Sequence, residues 1–149
     1  MKLIEVIHDA TQQCRDEIEE EGGIIIHNPS VEDSYEFIKL TNQNTGKALA
    51  PVLWTADQQE YADKILPRVM KGERHFASFH THPRFLAIPS TIDLSQLFPG
   101  FSINMIYSQT TNRISVWETD KEFHTTFSTV YEGTSDGLVE HKDINAVVA

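Results

Sequence analysis

The chain has 149 residues, enough for one domain with a hydrophobic core, and its 40% hydrophobic and 23% charged residues are ordinary for a soluble globular protein. A formal net charge of -10 argues against nucleic-acid binding, and the single cysteine, Cys14, excludes an internal disulfide and a cysteine-based zinc site. No apolar run approaches the ~18 residues of a membrane span, and the N-terminus lacks a signal-peptide pattern. We therefore expect a cytoplasmic protein without a membrane partner.

The N-terminal segment has the apolar periodicity of a helix. Residues 3–19 are predicted to be an amphipathic helix that Gly22-Gly23 ends. The β-branched run Ile24-Ile25-Ile26 then predicts a strand buried on both faces. The predicted buried face of the helix consists of Leu3, Ile7, Ala10, Cys14 and Ile18.

A hairpin is predicted next. Residues 34–40 have strand composition, residues 42–46 carry the turn signal Asn-Gln-Asn-Thr-Gly, and residues 48–54 are predicted to be the returning strand. A second helix is predicted over residues 55–66, and Pro67 ends or kinks it. We expect Thr55 and Gln58 to form its capping box, and its apolar side to consist of Tyr61, Ile65 and Met70.

The C-terminal half alternates between strands and turns. Ser90 is predicted to begin a short helix that Pro99-Gly100 ends, and residues 108–112 form a hairpin loop. The predicted strands are residues 74–79, 101–107, 113–117 and 123–130. The sequence thus predicts one α/β (α+β) domain over residues 1–131, with a mixed, mostly antiparallel sheet flanked by helices. Residues 132–149 are interpreted as a tail or as a segment that docks a partner protein.

The stretch Phe79-His80-Thr81-His82-Pro83 indicates a metal site. In an extended segment, His80 and His82 aim their imidazoles to the same side, and Asp93 can return as a third ligand if the chain turns between them. Two imidazoles and a carboxylate leave one position of a tetrahedral zinc ion open, which is the arrangement of a catalytic site.

Ser90 and Asp93 also have a structural interpretation. The spacing Ser-x-x-Asp before an apolar segment is typical of a capping box at a helix N-terminus. The two interpretations are compatible, because a carboxylate held in the first turn of a helix is well placed to bind a metal. The Ser90 hydroxyl would then be available to an oxyanion.

Three consecutive carboxylates, Glu19-Glu20-Glu21, fall at the C-terminal end of the first predicted helix. The helix dipole disfavours negative charge there, by about 0.3–1 kcal/mol each. A metal cation beside the following strand would offset that cost. One of the three glutamates is therefore a candidate general base.

Together these residues resemble the JAMM (MPN-plus, JAB-type) metallopeptidase family, in a prokaryotic or phage-type form. Its pattern is a glutamate shortly before a glycine and a hydrophobic strand, then His-x-His-Pro, seven residues and Ser-x-x-Asp. Here His80, His82, Ser90 and Asp93 match that spacing, over a resemblance that covers roughly residues 3–118. Counting back from Gly23 selects Glu20 as the glutamate, with Glu21 as the second choice.

The resemblance implies a cytidine-deaminase-like fold and a zinc-dependent isopeptidase that removes a ubiquitin-like protein from lysine side chains. It implies that His80, His82 and Asp93 bind zinc, that Glu20 is the general base and that Ser90 stabilises the oxyanion. Phe85, Leu86 and Ile88 are predicted either to shape a groove for an extended substrate tail or to pack beneath their loop.

Two alternative functions stay open at this point. One is a non-catalytic MPN-fold scaffold for protein assembly, in which ligand residues are usually missing. The other is a JAMM peptidase that acts on a cell-wall or phage-tail peptide.

Overall fold

The computed structural model describes residues 1–95, 103–122 and 124–141. These residues form four helices and one seven-stranded sheet. The helices are α1 (Leu3–Gln13), α2 (Gln58–Lys64), α3 (Leu66–Met70) and α4 (Thr91–Ser95). The strands are β1 (Gly22–His27), β2 (Tyr35–Leu40), β3 (Arg74–His82), β4 (Ile103–Ser108), β5 (Arg113–Thr119), β6 (Thr125–Thr134) and β7 (Gly137–His141).

The sheet is mixed and mostly antiparallel, which confirms the predicted α+β class. Its strand order is β2-β1-β3-β4-β5-β6-β7. Only the central pair β3 and β4 runs parallel among the described strands, because α4 lies in the crossover between them. The five other neighbouring pairs are antiparallel.

Strand β1 is buried on both faces, as predicted. Ile25 packs with Val6, Ile7 and Ala10 of α1 in the main core. Ile24 packs on the opposite face of the sheet, in a second cluster. The other members of that cluster are Ile26, Leu40 and Ile65, with Tyr61 of α2 packed against it. The alternation of side chains along a strand places the two clusters on opposite faces.

The first helix is shorter than predicted. It ends at Gln13, and Ile18, which was expected on its buried face, is 61% exposed. The reason is local: Asp16 Oδ1 accepts hydrogen bonds from the backbone amides of Ile18 and Glu19, both at 2.8 Å. A short acidic side chain that captures nearby amides competes with the helical pattern. Glu19, Glu20 and Glu21 are therefore not at a helix C-terminus, and the dipole argument for them is wrong.

The predicted hairpin after β2 is also wrong. Residues 48–54 form turns and irregular chain, and β2 pairs with β1 instead. An isolated bridge between Asn42 and Ala56 closes this segment. The composition of residues 48–54 favoured a strand, but side-chain hydrogen bonds hold this irregular segment instead. Asn42, for example, donates to the carbonyl oxygen of Leu53.

The second helix begins later than predicted. Its cap is Asp57, whose Oδ1 accepts from the amide of Glu60 at 2.9 Å, so the capping box of Thr55 and Gln58 does not form. Ile65 is buried as expected, whereas Met70 is 85% exposed. The chain continues past Pro67 as α3, since proline is tolerated in the first turn of a helix.

Strands account for part of the segment that was interpreted as a tail. Strand β6 reaches Thr134, and β7 pairs with it antiparallel from Gly137 to His141. Whether residues 132–149 dock a partner stays a prediction. Phe123 and Pro99-Gly100, which entered the predicted element boundaries, lie outside the described residues. Among the described helices, none has the length and apolar character that crossing a bilayer requires.

Candidate metal centre

Strand β3 places two histidines side by side. His80 and His82 are buried and alternate with Thr81, so both imidazoles lie on one side of the strand. Their Nε2 atoms face each other at 3.3 Å. Neighbouring strands β1 and β4 cover β3 on its two edges, which fixes the positions of both rings.

Helix α4 places the carboxylate of Asp93 beside the two histidines. Ser90 Oγ accepts from the amide of Asp93 at 3.0 Å, and Asp93 Oδ2 accepts from the amide of Ser90 at 2.9 Å, which confirms the predicted capping box. Asp93 Oδ1 lies 3.3 Å from His80 Nε2, and Oδ2 lies 3.1 Å from His82 Nε2. Burial opposes its ionisation, but the hydrogen bonds with His80, His82 and Ser90 hold the pKa of Asp93 well below its usual range.

Glu20 completes a cluster of four buried side chains. It precedes β1, and the register that pairs Gly22 with His80 brings its carboxylate to the histidines. Glu20 Oε1 lies 3.9 Å from His80 Nε2 and Oε2 lies 3.8 Å from His82 Nε2. The residue is 2% exposed, and Oε1 has no hydrogen-bond partner among the described residues.

The environment of Glu20 favours the protonated form of its carboxyl. Burial raises the pKa of this carboxyl to about 7, against the opposing attraction of His80 and His82 and a hydrogen bond from the backbone of Trp54. A carboxyl with a pKa near neutrality can both accept and return a proton at physiological pH. Its neighbour Glu21 instead forms an ion pair with Lys39, so Glu20 is the glutamate that faces the histidines.

The tautomer of His82 is fixed by its second nitrogen. Nδ1 lies 2.9 Å from the carbonyl oxygen of Leu86, which can only accept, so Nδ1 carries the proton in the neutral ring. In this neutral tautomer Nε2 keeps its lone pair for a metal ion, whereas the protonated ring donates from Nε2 to Asp93 Oδ2, 3.1 Å away. A hydrogen bond from the far nitrogen to a carbonyl is the usual support of a metal-binding histidine.

The residues fit a zinc ion. In a tetrahedral zinc site with bond lengths of about 2.0–2.1 Å, neighbouring ligand atoms lie roughly 3.3 Å apart. The two Nε2 atoms are 3.3 Å apart, and each lies close to one oxygen of Asp93, at 3.3 Å from Oδ1 for His80 and 3.1 Å from Oδ2 for His82. Glu20 lies farther from the histidines, with Oε1 at 3.9 Å from His80 Nε2. This oxygen has no hydrogen-bond partner among the described residues. A buried carboxylate oxygen without a hydrogen-bond partner is the kind of atom that a bound cation, or the water bound to that cation, would satisfy.

Two residues at this site were not anticipated from the sequence. Trp54 lies parallel to the His80 imidazole, with ring centroids 6.1 Å apart and planes 4° from parallel. Gly22 permits this approach, because a Cβ there would lie 2.8 Å from Trp54 Cε2 and 2.3 Å from the carbonyl oxygen of Phe79. The glycine pair was interpreted as the end of a helix, and Gly23 as the glycine of the family pattern, but the close approach at Gly22 was not predicted.

An apolar groove of about 500 Å³ opens beside the cluster. The predicted substrate residues Phe85, Leu86 and Ile88 line it and are 55%, 46% and 37% exposed, whereas Ala87 between them is buried in the core. The groove is also lined by Val52, Pro89 and Ile92, and by Glu20, His82, Ser90 and Thr91. A substrate-binding role for Phe85, Leu86 and Ile88 stays a prediction.

Comparison with known proteins identifies the fold and the family of the chain. A solved protein from Desulfitobacterium hafniense, DSY2949, is similar in fold, with a TM-score of 0.54 and 17% identity over 93% of this chain and 84% of that one. No curated protein matches the chain. The family model described as prokaryotic homologs of the JAB domain matches residues 5–120. The chain therefore belongs to the family of prokaryotic JAB-domain homologs.

Proposed function

We propose that this protein is a zinc-dependent peptidase of the isopeptidase type, which removes a ubiquitin-like modifier from a lysine side chain. The observation that carries the proposal is the convergence of Glu20, His80, His82 and Asp93 in one buried cluster, whose ligand atoms all lie within 4.8 Å of one another. Family membership supports a hydrolase, and the retention of all four side chains favours catalysis over a scaffold role.

The chain's residues divide into a metal-holding set and a proton-carrying one. His80, His82 and Asp93 would hold the ion through two imidazole nitrogens and a carboxylate oxygen, a donor set typical of catalytic zinc. When bound, zinc supplies a Lewis acid that polarises a carbonyl and makes water acidic near neutral pH.

Glu20 moves the proton. Its carboxylate accepts a proton from the attacking water as the new bond to the carbonyl carbon forms. It then gives that proton to the leaving amine as the carbon–nitrogen bond breaks, so the carboxylate is restored.

Ser90 stabilises the oxyanion in the proposed reaction. Its Oγ accepts the hydrogen bond of the Asp93 amide, so the hydroxyl proton is available to a second acceptor. A donor held at the N-terminal cap of α4 needs little reorganisation when negative charge develops on the substrate oxygen.

The apolar groove suits an extended substrate tail. Phe85, Leu86 and Ile88 offer exposed apolar surface in a groove that Glu20, His82 and Ser90 also line. Extended tails bind such grooves through backbone hydrogen bonds and alternate side-chain pockets. A ubiquitin-like C-terminus has that extended form.

The test is hydrolysis of ubiquitin-like proteins that carry a fluorescent amide at their C-terminus. Zinc-loaded wild type should release the fluorophore, and both a chelator and Glu20→Gln should abolish release. Cleavage that persists in Glu20→Gln would contradict the mechanism. Cleavage of cell-wall or phage-tail peptides alone would contradict the substrate class, and a zinc-loaded protein inactive on every peptide would favour the scaffold.

A further inference from the structure

We infer that Asn42 is a positioning residue for Glu20, acting on the general base through the backbone that carries it. This inference rests on the proposed function, in which Glu20 transfers the proton. Asn42 lies just after β2 and is 5% exposed. Hydrogen bonds of its side-chain amide connect three irregular segments, which are Glu20, residues 42–44 and residues 53–55.

The donor side of Asn42 reaches two carbonyl oxygens. Nδ2 donates to the backbone oxygen of Glu20 at 3.0 Å and to that of Leu53 at 2.8 Å. The acceptor side is occupied as well, since Oδ1 accepts from the backbone amides of Asn44 at 3.0 Å and Thr55 at 3.3 Å. The Asn42 side chain thus connects the backbone of Glu20 to the backbone of Leu53 and Thr55.

Glu20 depends on such contacts because it lies in no helix or strand. Its backbone amide donates to the carbonyl oxygen of Ala50 at 2.9 Å, and its carbonyl accepts from Asn42. Both groups are therefore held by the chain between β2 and α2. Without the Asn42 amide, one of these two anchors is lost and the carbonyls of Glu20 and Leu53 lose a donor.

Asn42 also positions Trp54, which lies beside the His80 imidazole. Leu53 and Thr55, which Asn42 bonds, flank Trp54. The indole of Trp54 lies parallel to the His80 ring, with ring centroids 6.1 Å apart. One side chain therefore fixes Glu20 and the segment that carries Trp54 relative to each other.

Asparagine suits this position chemically, since it offers two N–H donors and an acceptor oxygen on one short side chain. Asn42→Asp has the same size and keeps the acceptor, but cannot donate to the two carbonyls. Asn42→Ala removes the donors without adding charge. Asn44→Ala is the matched control: its Nδ2 contacts Asn42 Oδ1 and Thr55 in the same turn but does not contact Glu20.

The first readout is steady-state cleavage of the best C-terminal amide substrate, with zinc binding measured on the same samples. We expect kcat to fall at least about tenfold in Asn42→Ala and Asn42→Asp, as for a lost hydrogen bond in a buried site, with KM and zinc affinity unchanged. Asn44→Ala should keep kcat. An unchanged kcat in both Asn42 variants, or equal losses in Asn44→Ala, would overturn the inference.

The second readout is amide hydrogen exchange, which needs no substrate. In Asn42→Ala the Glu20 amide should exchange at least about tenfold faster, while the amides of β3 keep their protection. Uniform acceleration across β1, β3 and Glu20 would mean a general structural role and overturn the inference. If wild type cleaves nothing, the proposed function fails, whereas this exchange pattern still tests the positioning of Glu20.

Discussion

Gly22 pairs with His80 across the β1–β3 ladder, and this register places the Glu20 carboxylate 3.9 Å from the His80 imidazole. The proposed general base and the proposed metal-binding histidine are thus connected through the pairing of two neighbouring strands, although they are distant in sequence. A change in that pairing should disturb the site before it disturbs the rest of the fold.

The proton-transfer role of Glu20 predicts a specific kinetic effect. Glu20→Gln keeps the size of the side chain and should lower kcat by about 10²–10⁴-fold, the usual contribution of a general base. Zinc binding should persist, because His80, His82 and Asp93 are retained. Activity with zinc content measured in parallel checks this. A variant that keeps wild-type kcat would remove Glu20 from the mechanism.

The raised pKa of Glu20 predicts a pH-dependent stability of the metal-free protein. Burial raises this pKa from 4.5 to about 7, so between those pH values the folded state binds more protons than the unfolded state. The contribution of Glu20 to the free energy of unfolding therefore falls as pH rises through this window. With chelator present, denaturant titrations at pH 5 and pH 8 should show Glu20→Gln gaining stability relative to wild type at the higher pH. A difference independent of pH would contradict the assignment.

The groove predicts a substrate-binding role for an exposed leucine. Leu86 is 46% exposed, so Leu86→Asp should fold normally while lowering kcat/KM through a higher KM, because the charge enters an apolar surface beside the site. Met70→Asp is the matched control, since Met70 is 85% exposed and does not line the groove. Equal cleavage by both variants would show that the tail binds elsewhere.

The close packing at Gly22 predicts a strong effect of one methyl group. Gly22→Ala would place Cβ 2.3 Å from the carbonyl oxygen of Phe79, which is backbone and cannot rotate away. We expect a loss of about 1–3 kcal/mol in the free energy of unfolding, as for an overpacked core, together with weaker zinc binding. Gly133→Ala should cost less, because its nearest atoms belong to the side chain of Asn112. Denaturant titration compares the two.

Cys14 is predicted to be chemically inert in the folded protein. It is fully buried in the main core, and burial raises the pKa of its thiol to about 12. Since the thiolate is the reactive form, alkylation at pH 8 should be slow in native protein and fast in denaturant. Rapid labelling of native protein would contradict the core position. Cys14→Ala should keep catalytic activity.

The residues of the site could be predicted because they follow short sequence patterns whose local backbone geometry is known. Spacing of two along a strand aligns His80 with His82, and Ser-x-x-Asp describes a helix turn that places Asp93. Both patterns depend on local backbone geometry, which sequence reports well. Glu20 was selected by the same family spacing, although the helix assumed around it ends at Gln13.

The irregular segments could not be predicted, because side chains rather than backbone ladders hold them. Asp16 ends α1 by binding two amides, and Asn42 bonds residues 53 and 55, where a strand was expected. Neither residue differs in sequence from an ordinary surface polar residue. Strand β7 was missed because Gly137 to His141 is half polar and is defined by its pairing with β6.

The most direct test of the metal centre is zinc stoichiometry after dialysis, measured by elemental analysis on wild type, His80→Ala and His124→Ala. His124 belongs to an exposed group with Asp120 and Glu122, so it controls for adventitious surface binding. We predict one zinc per chain in wild type and His124→Ala, and none in His80→Ala. Absence of zinc from wild type, or its retention in His80→Ala, would contradict the metal site on which the proposed function depends.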